Sequence, residues 1–159
     1  MGRFLAACDF LMCGRHTLAQ DGPVPALLAL LVCESVIHDA ETQTKTLVRV
    51  LSRINAQSVP LQIAGLGLYA KMVEGSGAYS FRIRLVSLKD ESQILDITVP
   101  ANWSSPESPL EIGANFRGVP IPDFGDYEFQ LFGNEVYLGR AVFNVAKFEL
   151  PAAASTGTS

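Results

Sequence analysis

Asp123-Phe124-Gly125-Asp126-Tyr127-Glu128-Phe129 decides the fold of this chain. It reads Asp-x-Gly-x-Tyr-x-aromatic and runs into alternating apolar and polar residues. That is the pattern of a tyrosine corner, where a strand enters a β-sandwich and its Tyr hydroxyl ties back to nearby backbone. Asp123, Gly125 and Tyr127 therefore read as structural residues. Phe129 stands where an immunoglobulin domain carries its second Cys, so the two sheets have to be held by packing.

The hairpin after the corner sets a register. Tyr127, Phe129 and Leu131 alternate with Glu128 and Gln130. Gly133-Asn134 reads as a two-residue turn, because both residues tolerate positive φ. That turn pairs Phe132 with Glu135, Leu131 with Val136 and Phe129 with Leu138. Continued in phase, Arg140 would point inward, yet the next inward set is Ala141, Phe143 and Val145. A β-bulge is predicted at Gly139-Arg140. Phe132 and Tyr137 fall on the outward face.

Period two extends upstream over most of the chain. Residues 78–85 place Tyr79, Phe81, Ile83 and Leu85 inward and Arg82 and Arg84 outward. Residues 63–73 precede them as a strand, with Glu74-Gly75-Ser76-Gly77 as the hairpin loop. Gly65 and Gly67 on one face of that strand imply that something packs very close there or that the strand bends. Residues 27–37 are nearly all apolar, which predicts a central strand covered on both sides. Residues 46–54 alternate with Arg49 and Arg53 outward. Residues 93–99 place Leu95, Ile97 and Val99 inward, followed by a Pro/Ser-rich loop over 100–109 that holds Trp103. Residues 110–116 form the next strand, stopped by Gly118, Pro120 and Pro122.

Eight strands with no helix-period segment predict an all-β fold, an antiparallel β-sandwich of immunoglobulin-like or C2-like type. A partly closed β-barrel is the alternative. One domain over residues 26–149 is expected, with an irregular extension over 1–25 and a small, polar, flexible tail over 150–159. At 159 residues a core of this size needs no disulfide or metal.

Composition narrows the function. A formal net charge of −4 argues against nucleic acid as partner, since phosphate binding needs a concentrated basic surface. No apolar run reaches the length of a membrane span. Three cysteines, Cys8, Cys13 and Cys33, make a poor disulfide framework and point to a reducing, cytoplasmic location. Leu5-Ala6-Ala7-Cys8 looks like a lipoprotein cleavage box, which would need a start further upstream.

No nucleophile elbow, zinc-binding His-Glu-x-x-His or phosphate loop is present in the sequence, so no catalytic residue, cofactor or metal is assigned and no enzyme activity is expected. His38 beside Asp39 reads as a surface residue. Loop parity puts Asp90-Glu91 and Asp123/Asp126 at one end of the sandwich, which leaves a calcium-dependent C2-like binder as a minor reading. The candidates for an interaction surface are Trp103, as a plug or an exposed anchor, the arginines Arg49, Arg53, Arg82 and Arg84, and the outward pair Phe132 and Tyr137. If the arginine strands share a sheet, they form a basic stripe, ordinarily a solvated face and otherwise suited to an acidic partner or an anionic ligand.

These pieces together resemble a bacterial family of small β-proteins known as a domain of unknown function. The resemblance is carried by Cys33-Glu34-Ser35-Val36 with Asp39, by residues 42–47, and by Ser58-Val59-Pro60. It continues through Tyr69-Ala70, Gly77-x-Tyr79, Arg82-Ile83-Arg84-Leu85 and Gly125-Asp126-Tyr127-Glu128-Phe129. A glycine of that family's first hairpin turn is Gln43 or Thr44 here. The resemblance implies a bacterial, non-secreted, sandwich-like domain, and it transfers no catalytic role. The expected function is a non-enzymatic binding or protein-interaction module. The alternative is a structural subunit of a homo-oligomer or larger assembly, marked by Phe132 and Tyr137.

Overall fold

The computed structural model describes residues 22–149. The elements are β1 (Ala26–His38), β2 (Lys45–Val50), β3 (Arg53–Ala56), β4 (Leu61–Ile63), β5 (Leu66–Val73) and β6 (Gly77–Ser87). They continue as β7 (Gln93–Trp103), β8 (Leu110–Phe116), β9 (Val119–Ile121), β10 (Gly125–Gly133) and β11 (Val136–Lys147). One sheet runs β2-β1-β5-β8 and the other β3-β11-β10-β6-β7, with β4 and β9 forming a small pair. All pairings are antiparallel except β3 with β11. The fold is an all-β sandwich. Its core comes from Val32, Leu66, Leu68, Met72 and Phe116 on one side and Phe81, Ile83, Leu85, Phe129 and Phe143 on the other.

The corner forms as its sequence requires. The Tyr127 hydroxyl donates to the Asp123 carbonyl at 2.7 Å and accepts from the Asp123 N–H at 3.3 Å. Gly125 sits at φ 144°, a conformation that side chains disfavour. Tyr79 makes a second tie, donating to the Pro23 carbonyl at 2.6 Å. Tyr127→Phe is expected to lower the unfolding free energy by about 1 kcal/mol. Urea denaturation checks this through a lower midpoint at unchanged slope.

The last hairpin corrects the predicted register. Gly133 pairs with Val136 and Phe132 with Tyr137, so the turn residues are Asn134 and Glu135, at φ 46° and 67°. A Cβ on Gly133 would lie 3.1 Å from Leu138 and 3.2 Å from the Phe81 ring. The glycine is thus used for close packing inside β10, and the turn moves one residue on. The Asn134 side chain also accepts from the Ser80 N–H at 2.8 Å. The bulge exists but lies earlier than Gly139-Arg140: the register shifts between Leu131 and Phe132, leaving Leu138 as the extra residue. Gly139 pairs with Leu131, and a Cβ there would collide with Leu27 of the facing sheet.

Five further expectations change. Residues 46–54 are two strands in different sheets. The Leu51 N–H bonds to the Val32 carbonyl, while the Asn144 N–H bonds to the Ser52 carbonyl, so the chain leaves one sheet and joins the other within two residues. Arg49, at φ 51°, stands at this switch. Residues 63–73 break at Ala64-Gly65 into β4 and β5. Residues 74–77 are no hairpin loop, since they carry the chain from β5 in one sheet to β6 in the other. β7 continues through Pro100 to Trp103, which a sheet-edge strand allows because the missing N–H need not serve the ladder. β1 lies inside its sheet, yet Leu28 and Ile37 are more than half exposed, so it is covered on one side only. Eleven strands therefore replace eight; the added ones are short.

The close approach predicted from Gly67 is present. A Cβ there would lie 2.8 Å from the Cys33 sulfur and 3.3 Å from the Ser35 backbone. Asn115 holds the same stretch of β1, accepting from the Val36 N–H and donating to its carbonyl, both at 2.8 Å. In the first hairpin turn, Gln43 itself adopts the positive φ, at 57°.

Candidate interaction face

Alternation along β6, β7, β10 and β11 sends every second side chain to the outer face of the five-stranded sheet. Pairing then arranges these residues in rows across the strands. One row reads Tyr137, Phe132, Arg82, Thr98, and the next reads Arg140, Gln130, Arg84, Asp96. A third brings Val142, Glu128 and Val86 together. Phe132 and Tyr137 meet edge to face, with ring centres 5.6 Å apart.

Charges on this face are tied to one another. Arg82 binds both oxygens of Asp96, through Nε at 2.8 Å and through Nη2. That bonding holds the Asp96 carboxyl below the usual carboxylate range. Glu128 is buried on this outward face, accepting from Gln130 at 2.6 Å and from Arg140 at 3.2 Å. Arg84 donates to the neutral Gln93 side chain at 3.2 Å.

Four of the predicted surface residues thus come together: Arg82, Arg84, Phe132 and Tyr137. Arg53 lies on β3 at the far edge of the same sheet, opposite Asn144. Arg49 does not join them. It belongs to the other sheet and pairs with Glu34 at 3.1 Å, so the four arginines make no single stripe. Trp103 is not a surface anchor either. It is 4% exposed, its ring packs over Gly75 and against Tyr79, and its Nε1 donates to the Ser108 carbonyl at 2.8 Å. Sequence reasoning missed Asp96, Glu128, Gln130 and Arg140 as members of the face. Their outward parity was readable, but which strands are neighbours was not.

The acidic loops do share one end of the sandwich, as Lys89 binding Asp123 at 3.3 Å shows. Asp90 caps its own turn, accepting from the Ser92 N–H at 3.1 Å and its hydroxyl at 2.7 Å. Among the described residues no three His, Cys, Asp or Glu side chains converge to hold a metal. The segment around Cys8 and Cys13 lies outside the described residues.

Two concavities flank the sandwich. A cleft of about 520 Å³ is walled by Pro60, Pro120 and Pro122 with Leu61 and Ile94. A second, about 360 Å³, has Lys45, Glu111 and His38 on its lining. Beside it, Glu111 lies 3.3 Å from Lys71 and 3.7 Å from Lys45, and it accepts from the Tyr69 hydroxyl. Burial pushes Glu111 up, but the Tyr69 and Lys71 bonds and the two ammonium charges bring it below its ordinary value. Burial, then the Glu111 bond and charge, push the Tyr69 phenol up to about 12. The folded form therefore holds this proton more tightly than the unfolded chain. Stability that is full below about pH 10 should fall as the pH rises toward about 12. Absorbance titration should show a late-ionising phenol that Tyr69→Phe removes.

Comparison with known proteins places the chain. The profile of a family of unknown function, DUF6941, matches residues 28–146. No curated protein matches the sequence. Among solved structures, the chain is similar to the Pseudomonas fluorescens alkylpurine DNA glycosylase AlkC bound to DNA containing an abasic site analog. The identity is 10% and the TM-score 0.49, covering 76% of this chain and 30% of that one. The chain thus spans less than a third of that glycosylase. An immunoglobulin-like protein from Pseudomonas aeruginosa is similar at 14% identity and TM-score 0.38, covering 77% and 97% of the two chains. No described helix is long and apolar enough to cross a membrane.

Proposed function

The chain belongs to DUF6941, a family of unknown function, and on that premise we propose a non-enzymatic protein-interaction module of bacterial origin that docks a partner on the outer face of its five-stranded sheet. The observation that carries this is the joining of Phe132, Tyr137, Arg82 and Arg84 in two adjacent rows of one open face. Aromatic and Arg side chains are the types that concentrate binding energy at interfaces. The buried thiol Cys33, free in the structure, supports a reducing, cytoplasmic setting.

A second reading, self-association, draws on Tyr137 and Val142, 51% and 46% exposed on this face. Light scattering separates the two, because a monomer at high concentration leaves only the heterologous partner. Affinity capture with wild type, Arg82→Glu/Arg84→Glu and Tyr137→Ser tests the docking face. Capture lost in the face variants supports it, and capture unchanged in all three sinks it.

A further inference from the structure

We propose that this face recognises a short acidic segment of a partner protein, with an apolar residue of that segment seated on Phe132 and Tyr137. The proposal rests on the docking reading above and adds the chemistry of the partner. Its main support is the layering of charge. The Arg82 and Arg140 side chains are 46% and 62% exposed, while Asp96 and Glu128 beneath them are 21% and 6% exposed. The carboxylates lie under the guanidinium groups and hold them in place. The outermost groups of both pairs are guanidiniums already held in place, with the Glu135 carboxylate also near Arg82, and this ordering lowers the entropy lost on binding.

Two further features fit carboxylate recognition. The cations in these rows are arginines, whose planar forks match carboxylates in pairs of parallel hydrogen bonds. Arg84 hydrogen-bonds the neutral Gln93 and acts on Asp96 through charge alone, so its guanidinium keeps hydrogen-bond donors for a ligand. Arg82 lies directly opposite Phe132, which places an apolar landing next to a guanidinium. A long polyanion is a poorer match. The whole chain is net −4, so it repels a polyanion that reaches beyond the face, whereas a short acidic stretch stays against the outer guanidiniums.

Amide shift mapping by NMR on the full chain tests this. The probe is a short synthetic peptide of Glu alternating with Leu. The same peptide with Lys in place of Glu and a short oligothymidylate serve as comparisons. The expected result is saturable shifts on β6, β10 and β11 with the Glu peptide, weakened by salt, and none with the other two. Arg84→Glu should weaken binding at least about tenfold, and Tyr137→Ser should weaken it without changing the salt dependence. Binding of the Glu peptide that Arg84→Glu leaves intact overturns the proposal. Shifts on the same strands with the Lys peptide or the oligonucleotide overturn the acidic chemistry and leave the docking face standing. Shifts confined to the proline-walled cleft overturn both.

Discussion

Phe129→Ala is expected to lower the unfolding free energy by about 3–5 kcal/mol. Phe129 is fully buried at the centre of the sandwich. Its ring stacks on Phe116 of the facing sheet at 5.6 Å and lies 6.1 Å from Phe143 of its own. No disulfide joins the sheets among the described residues, since the thiol there, Cys33, is free. Aromatic packing at this point therefore bears much of their cohesion. Truncation removes the transfer free energy of a whole ring and leaves a cavity that stiff β-strands cannot close. Domains of this size are typically stable by only about 5–15 kcal/mol, so a large part of the margin goes. Denaturant unfolding reads the effect. Phe129→Leu should retain more than half of the lost stability, because it refills most of the volume.

Trp103→Ala should cost a similar amount, about 3–5 kcal/mol. Its ring fills the end of the sandwich over Gly75 and against Tyr79, at 5.7 Å between ring centres. Truncation also leaves the Ser108 carbonyl without the indole N–H it accepts. The loss separates a plug from an exposed anchor. A plug gives a large drop in melting temperature with little change in binding at temperatures where the fold persists. An exposed anchor would give the reverse. Tryptophan fluorescence adds a second reading: a buried indole emits at shorter wavelength and resists quenching by iodide.

The corner and the inward faces were legible because each rests on local chemistry. Tyr127 reaches Asp123 four residues back, and strict alternation fixes which residues of 78–85 and 127–131 point inward. What stayed hidden is non-local. Val48, Val50 and Ile54 read as one face of a single strand, yet Val50 is 58% exposed and Leu51 packs on the core, because the chain changes sheets at Leu51-Ser52. Gly133 offers positive φ to a turn, and only the Phe81 ring beside it shows why the strand keeps it. Pro100 reads as a loop residue until β7 is known to be an edge. For the face, outward parity marked Arg82, Arg84, Phe132 and Tyr137, but grouping them needed strand order. The same order removed Arg49 to the other sheet. The carboxylates under the arginines were invisible for that reason: Asp96 and Glu128 each sit one strand away from the cation they hold in place.

The docking face is tested most directly by comparing two substitutions of equal charge change, Arg84→Glu on the five-stranded sheet and Arg49→Glu on the other. Binding of the Glu-Leu peptide is measured by titration calorimetry against each folded variant. The account predicts a loss of at least about tenfold for Arg84→Glu and less than about twofold for Arg49→Glu. An equal loss in both would mean that the peptide senses only the overall charge of the protein, and would contradict a docking site on this face.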